Sequence, residues 1–245
     1  MPDSRTHRGA HTDDERWFGG VALASLRQAA RDYAWLLNHG YAPVSSLKLV
    51  GDRFELNKRQ RVALARATCS DEESRDRLHR RLPPESLAGR TLLLDGFNVL
   101  VTLESALGGG VVLAGRDGCF RDLASMHGTY RRVAETAMAL KLVGESIVEL
   151  GAADCRWYFD SPVSNSGRLK TMALQIAAEN DWSWQVVLDA NPDRRLIEAS
   201  DPIASADSAV LDRCGPWFNL ARHVVERRVP QAWVVNFVEP WADDA

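Results

Sequence analysis

Past Pro83-Pro84 the chain alternates short apolar runs with helical stretches, and this alternation constrains its fold more than any other feature. TLLLD, CRWYFD, SWQVVLD, PIASAD and AWVVNF read as strands. Between them lie a helical pattern over 130–150, a second over 169–178, a short helix opened by Asn191-Pro192, and helices reaching about residue 227. Strands that alternate with helices predict a parallel sheet covered on both faces. The uninterrupted LLL of the first run suits a central strand buried on both sides. The expected fold class is α/β, a parallel sheet flanked by helices and preceded by a small all-helical domain.

The 245 residues, 45% of them hydrophobic, suffice for one large core or two smaller ones. Residues 1–16 show no periodicity and read as a mobile tail; a metal site at His7 and His11 lacks the further ligands that would fix a geometry. Residues 17–82 read as a basic helical domain. It begins with one amphipathic helix carrying Leu26, Ala30 and Tyr33, then a turn at Gly51-Asp52, then a helix with Val62, Leu64 and Ala65 inward. Residues 83–90 form a linker, and 91–245 the α/β domain. No apolar run could span a bilayer and the N-terminus has no apolar signal core, so no membrane association and a cytoplasmic location are expected. Cys69, Cys119, Cys155 and Cys214 form no CxxC pair and read as buried thiols. The tryptophans read as core, with Trp182, Trp184 and Trp233 in or beside strands.

Four of the five strands end in aspartate: Asp95, Asp160, Asp189 and Asp207. Ligands of open parallel sheets bind beyond the carboxyl ends of the strands, so these acids can converge. Taken singly, each is equally a cap on a following helix. Converging carboxylates repel one another and are tolerated when a hard cation such as Mg2+ or Mn2+ neutralises them. Such an ion polarises a phosphoryl oxygen and activates water, the chemistry of phosphodiester hydrolysis. Asp212, just over a turn past Asp207, either faces the same crevice or faces solvent.

DGFNVL at the first strand end and SADSAVLD at a later one resemble the PIN and NYN ribonuclease superfamily over roughly residues 89–238. The resemblance implies a PIN-like sheet, with Asp95 and Asp207 as metal ligands and Asp160 or Asp212 in a third position. It gives Asn98 the task of orienting the strand-end loop or contacting substrate. Superfamily members carry a further acid on the helix after the first strand; the nearest here are Glu104 and Glu135. The whole chain is also similar to an uncharacterised prokaryotic family, domain of unknown function 434, which implies architecture without an activity.

Net charge is −3, so any nucleic-acid surface must be local. Lys48, Arg53, Lys58, Arg59, Arg61 and Arg66 crowd one stretch with few acids, either a phosphate-contacting face or an ordinary solvated one. Between 107 and 133, GGG with Arg116, Arg121, His127, Arg131 and Arg132 is either a loop gripping a backbone over the site or a hairpin-like insertion. His127 is either an acid-base group or a structural histidine. Beyond Asp160, SPVSNSGRLK with Arg168 and Lys170 is either an anion site or a capped turn.

The leading expectation is a divalent-metal-dependent nuclease acting on RNA, with the helical domain holding the strand. One alternative is a catalytically inactive PIN-like RNA-binding or assembly module, and another is an enzyme acting on a phosphorylated small molecule. A HAD-type phosphatase fits poorly because DGF lacks the second acid of DxD. A homo-oligomer is compatible with the sequence.

Overall fold

Thr91–Asp95 (β1) lies inside a four-stranded parallel sheet in a computed structural model that describes residues 7–124, 130 and 132–238. In chain order, helices α1 (Asp14–Phe18), α2 (Gly20–Asn38), α3 (Pro43–Arg53), α4 (Lys58–Ala67) and α5 (Asp71–Arg80) precede a single 3-10 turn, Pro84–Leu87, and then β1. After it come α6 (Gly96–Leu107), β2 (Val112–Ala114), β3 (Phe120–Asp122), α7 (Thr136–Glu149), β4 (Asp154–Asp160) and α8 (Ser166–Glu179). The chain continues with β5 (Trp184–Asp189), α9 (Pro192–Ile197), β6 (Ile203–Ala204), α10 (Ser208–Leu211), α11 (Leu220–Arg228) and β7 (Val234–Val235).

The main sheet runs β5-β4-β1-β6, all parallel, and its register sets Asp160 beside Asp189 and Asp95 beside Tyr158. Leu92 and Leu94 of β1 are fully buried, and with Trp157 and Phe159 of β4 they form the centre of the largest core. α6 was not expected as an element, although Asn98, Thr102 and Ser105 stand at helical spacing in GFNVLVTLESAL. Nearly every residue from Gly96 to Ala106 is buried, the polar Thr102, Glu104 and Ser105 included.

AWVVNF does not join this sheet. β7 pairs in parallel with β2, which pairs antiparallel with β3, making a separate three-stranded sheet. The edge beyond the two-residue β6 is taken by the loop at Trp217, whose neighbours exchange backbone hydrogen bonds with Ile203 at 2.7 and 3.1 Å. The second sheet instead floors the helical region: Val111, Leu113, Val235 and Phe237 share one core with Phe18, Leu26, Tyr33 and Leu64. Gly51-Asp52 is not a turn but part of α3; a Cβ at Gly51 would stand 2.3 Å from Arg61 Nη1, so glycine lets Arg61 lie along that helix.

The expected tail is tied down from His7 onward. Arg8 is paired with the fully buried Glu104, and Arg59 holds the fully buried Asp14 at 2.6 and 2.8 Å. Buried carboxylates demand such partners, and long-range pairs of this kind are invisible to local periodicity. The four cysteines are buried and free; Trp157, Trp184 and Trp217 are core residues, whereas Trp182 and Trp233 are half-buried and Trp35 is exposed. No helix among the described residues is long and apolar enough to cross a membrane.

α7 packs so closely on the indole of Trp182 that a Cβ at Gly144 would fall 2.0 to 2.3 Å from three ring atoms. Gly144→Ala is therefore expected to destabilise the fold by about 1–3 kcal/mol, read as a lower urea midpoint at unchanged slope.

Candidate active site

β1 delivers Asp95 to the N-terminus of α6, where the residue is only 4% exposed. Its Oδ2 accepts from Asn98 Nδ2 at 2.8 Å, almost one helical turn on, and from Ser205 Oγ at 2.6 Å. The Ser205 hydroxyl oxygen in turn accepts the Asp207 N–H at 3.0 Å. Ser205 thus fastens the carboxylate to the turn beyond β6. Asp207 caps α10 through Oδ1, which accepts from the N–H groups of Ala209 and Val210 at 2.7 and 3.2 Å.

Burial pushes the Asp95 carboxyl up to about 7; the Ser205 hydroxyl opposes this, the charges of Asp207 and Asp193 add to it, and Asn98 opposes it. Burial also raises Asp160. Asp193, on α9, is raised by burial and then by Asp207 and Asp160. Asp95, Asp160, Asp193 and Asp207 therefore share one electrostatic neighbourhood at the carboxyl ends of the strands. Asp193 escaped the sequence reading. Its only signal was an acid in the first turn of a helix opened by Asn191-Pro192 directly after a strand.

A cleft of about 480 Å3 opens beside them, lined by Asp160 and Asp207 of the four, while Asp95 lies beneath it between the lining residues Asn98 and Phe97 of α6 and Ala206, and Asp193 is outside the lining. Asn98, Thr102, Asp160 and Asp207 line it on the sheet side, and Arg66, Arg121 and Asp122 come from α4 and β3. Asp189 stays out of the lining; it is held by Arg195 at 2.9 Å and by the Asn191 N–H at 2.9 Å, a capped turn. Asp212 is drawn away as well, paired with Arg77 at 2.6 and 2.7 Å. Glu104 accepts from Tyr130 Oη at 2.5 Å and Thr136 Oγ1 at 2.6 Å, beside Arg8, and burial raises its pKa. Glu135 is bound to His7 at 2.6 Å. Neither glutamate lines the cleft.

A buried ionic core supports the Asp207 turn. Asp117, fully buried, receives Arg121 at 2.6 and 2.9 Å and Arg77 at 2.7 Å. Arg121 Nε also donates to the Ala206 carbonyl at 2.7 Å, immediately before Asp207. Arg77 belongs to α5, so the helical region holds the cleft through this core.

The basic stretch is largely spent on internal partners. Lys48 and Arg61 pair with Asp52, Arg53 with Asp32, Arg59 with Asp14, and Arg116 with Asp71. Lys58 is exposed, and Arg66 alone of that stretch lines the cleft, bonded to the Asp122 carbonyl at 2.6 Å. The hairpin-like reading of the glycine-rich insertion holds for β2 and β3, although Arg121 is buried in the ionic core. Exposed Arg168 shares a separate cavity with Arg132 and Asn165, and Lys170 is half-buried. His127 and Arg131 lie outside the described residues.

Among the described residues no group of three or more His, Cys, Asp and Glu could hold an ion. Asp95 and Asp207, which interact electrostatically, are the residues that could hold an ion such as Mg2+ or Mn2+, which binds through one or two carboxylates and retains water.

The family model for Domain of unknown function (DUF5616) matches residues 84–223. The chain belongs to the DUF5616 family. The model for Protein of unknown function (DUF434) matches residues 25–80, so that likeness covers the helical region and not nearly the whole chain. The chain is similar to Uncharacterized protein MJ0935 of Methanocaldococcus jannaschii, 27% identical over 187 residues that cover 76% of this chain and 89% of that protein. No solved structure matches it. All four clustered acids fall in the DUF5616 segment, whereas Arg66 and Arg77 fall in the DUF434 segment. The cleft thus sits where the two segments meet.

Proposed function

We propose that this DUF5616 protein is a divalent-metal-dependent, PIN-like nuclease that hydrolyses phosphodiester bonds in RNA. The observation that carries the reading is the acid group at the strand ends: a buried Asp95 whose proton affinity is raised by its surroundings, with Asp207, Asp160 and Asp193 around it. A cleft so acidic would repel a phosphate backbone unless a cation intervened. Asp95 and Asp207 would hold that cation, which when bound supplies an activated water and polarises the phosphoryl group. Asn98 and Ser205 fix the orientation of Asp95, and Arg66 stands on the facing wall as a phosphate donor.

A second reading, a PIN-like module that binds RNA without cutting it, is favoured by the engagement of Asp212 and Glu104 elsewhere. The two separate in one experiment. The purified chain is incubated with labelled single-stranded and structured RNA in Mn2+, Mg2+ or chelator, beside an Asp95→Asn/Asp207→Asn variant. Cleavage that requires metal and disappears in the variant is the expected result. RNA bound but uncut in every metal would refute the nuclease and leave the module.

A further inference from the structure

The β2–β3 hairpin also borders a cavity of about 630 Å3 that shares no lining residue with the acid cleft. Its polar wall carries Arg81, Arg222 and Glu226; Ala114, Val234 and Val238 form an apolar one. Gly118 lies between the arginines, with φ at +77°. A Cβ there would stand 3.1 Å from Arg81 Nη1 and 3.3 Å from Arg222 Nη1. Two guanidinium groups therefore converge on one backbone position that carries no side chain.

The convergence is partly fixed in place. The Gly118 carbonyl accepts from Asn219 Nδ2 at 2.8 Å and from Arg222 Nη1 at 3.2 Å. Glu226 accepts from Arg222 Nε at 2.7 Å, and the guanidinium carbon lies 5.3 Å from the centre of the Phe120 ring. Among the described residues, Arg81 has no carboxylate partner. Two like charges held together, only one of them offset, favour an anion between them, and the guanidinium fork matches a phosphate. The bare glycine lets an oxygen approach the backbone, and the volume is that of a small-molecule site.

We propose that this cavity binds a phosphomonoester, its phosphate between Arg81 and Arg222 and its less polar part against Ala114, Val234 and Val238. The site is independent of the cleavage reaction proposed above. Isothermal titration of the full chain with inorganic phosphate, a nucleoside monophosphate and the parent nucleoside tests it. Phosphate and the monophosphate should bind, the monophosphate more tightly, and the nucleoside should not. Arg81→Gln and Arg222→Gln should each weaken binding by about tenfold or more.

Arg81 is exposed, so its replacement should leave the melting temperature unchanged. Asp95→Asn/Asp207→Asn should bind as the parent does, which separates this site from the cleft. A matched pair of oligoribonucleotides, 5′-phosphorylated and 5′-hydroxyl, identifies the source: preference for the phosphorylated strand over the free mononucleotide assigns an RNA end, the reverse a small metabolite. No binding at roughly 10 mM ligand, or undiminished binding in both arginine variants, would overturn the proposal.

Discussion

Asp117→Ala is expected to cost about 3–5 kcal/mol of stability at neutral pH, because it strips the buried Arg121 of its carboxylate and leaves the buried Arg77 with Asp212 alone. Arg77 and Arg121 are 2% and 6% exposed, and together they make three contacts with the Asp117 carboxylate at 2.6 to 2.9 Å. Burial alone would raise the Asp117 carboxyl, but Arg121 and then Arg77 hold it far below the usual carboxylate range. A depressed native pKa means that the contribution is complete above the unfolded value near pH 4 and is lost as the pH falls below it. Urea denaturation of parent and variant should therefore differ most at pH 6 to 8 and converge in acid. Replacing the set with apolar residues, as in Asp117→Leu/Arg77→Met/Arg121→Met, should recover part of the loss, since what is costly is the unpaired charge.

This loss extends to the cleft. Arg121 holds the Ala206 carbonyl, so the Asp207 turn loses its support along with the ionic core. If RNA cleavage depends on Asp207, the apolar triple variant should be stable yet slow, a combination that distinguishes misplacement of the turn from unfolding.

Asp95→Asn should behave in the opposite way, stabilising the protein while removing cleavage. The native carboxyl keeps its proton up to about pH 7, whereas in the unfolded chain it ionises near pH 4. The native state binds more protons across that window, so the contribution of Asp95 is fully present below about pH 4 and falls as the pH rises through 7. The penalty above pH 7 is at most about 4 kcal/mol. In chelator, the parent should lose stability between pH 5 and pH 8 and the variant should lose less, becoming the more stable of the two at pH 8. A variant less stable than the parent at pH 8 would show that the carboxylate is not strained there.

The long strands were legible because their burial is written locally. TLLLD, CRWYFD and SWQVVLD are runs whose apolar content and bounding turns need no partner to be recognised, and the rule of strand ends then gathers Asp95, Asp160 and Asp207. What stayed open lay in pairings between distant positions. Asp212 faced two ways on spacing alone, and its partner, Arg77, is 135 residues away. Arg59 belonged to a face open to either phosphate or solvent, and its partner is Asp14, 45 positions earlier. α6 was missed for a different reason: its apolar residues run on directly from TLLLD and masked the helical spacing of Asn98, Thr102 and Ser105.

The pairing of β7 with β2 also fixes an order of events during synthesis. Helices α1 to α5 leave the ribosome before the sheets, but their core gains Val111 and Leu113 only with the hairpin, and Val235 and Phe237 only with β7. Until then the apolar faces of α2 and α4 have no floor. The helical region is thus finished only once β7 is made, and a chain truncated after residue 223 would present that unfinished core to chaperones and proteases.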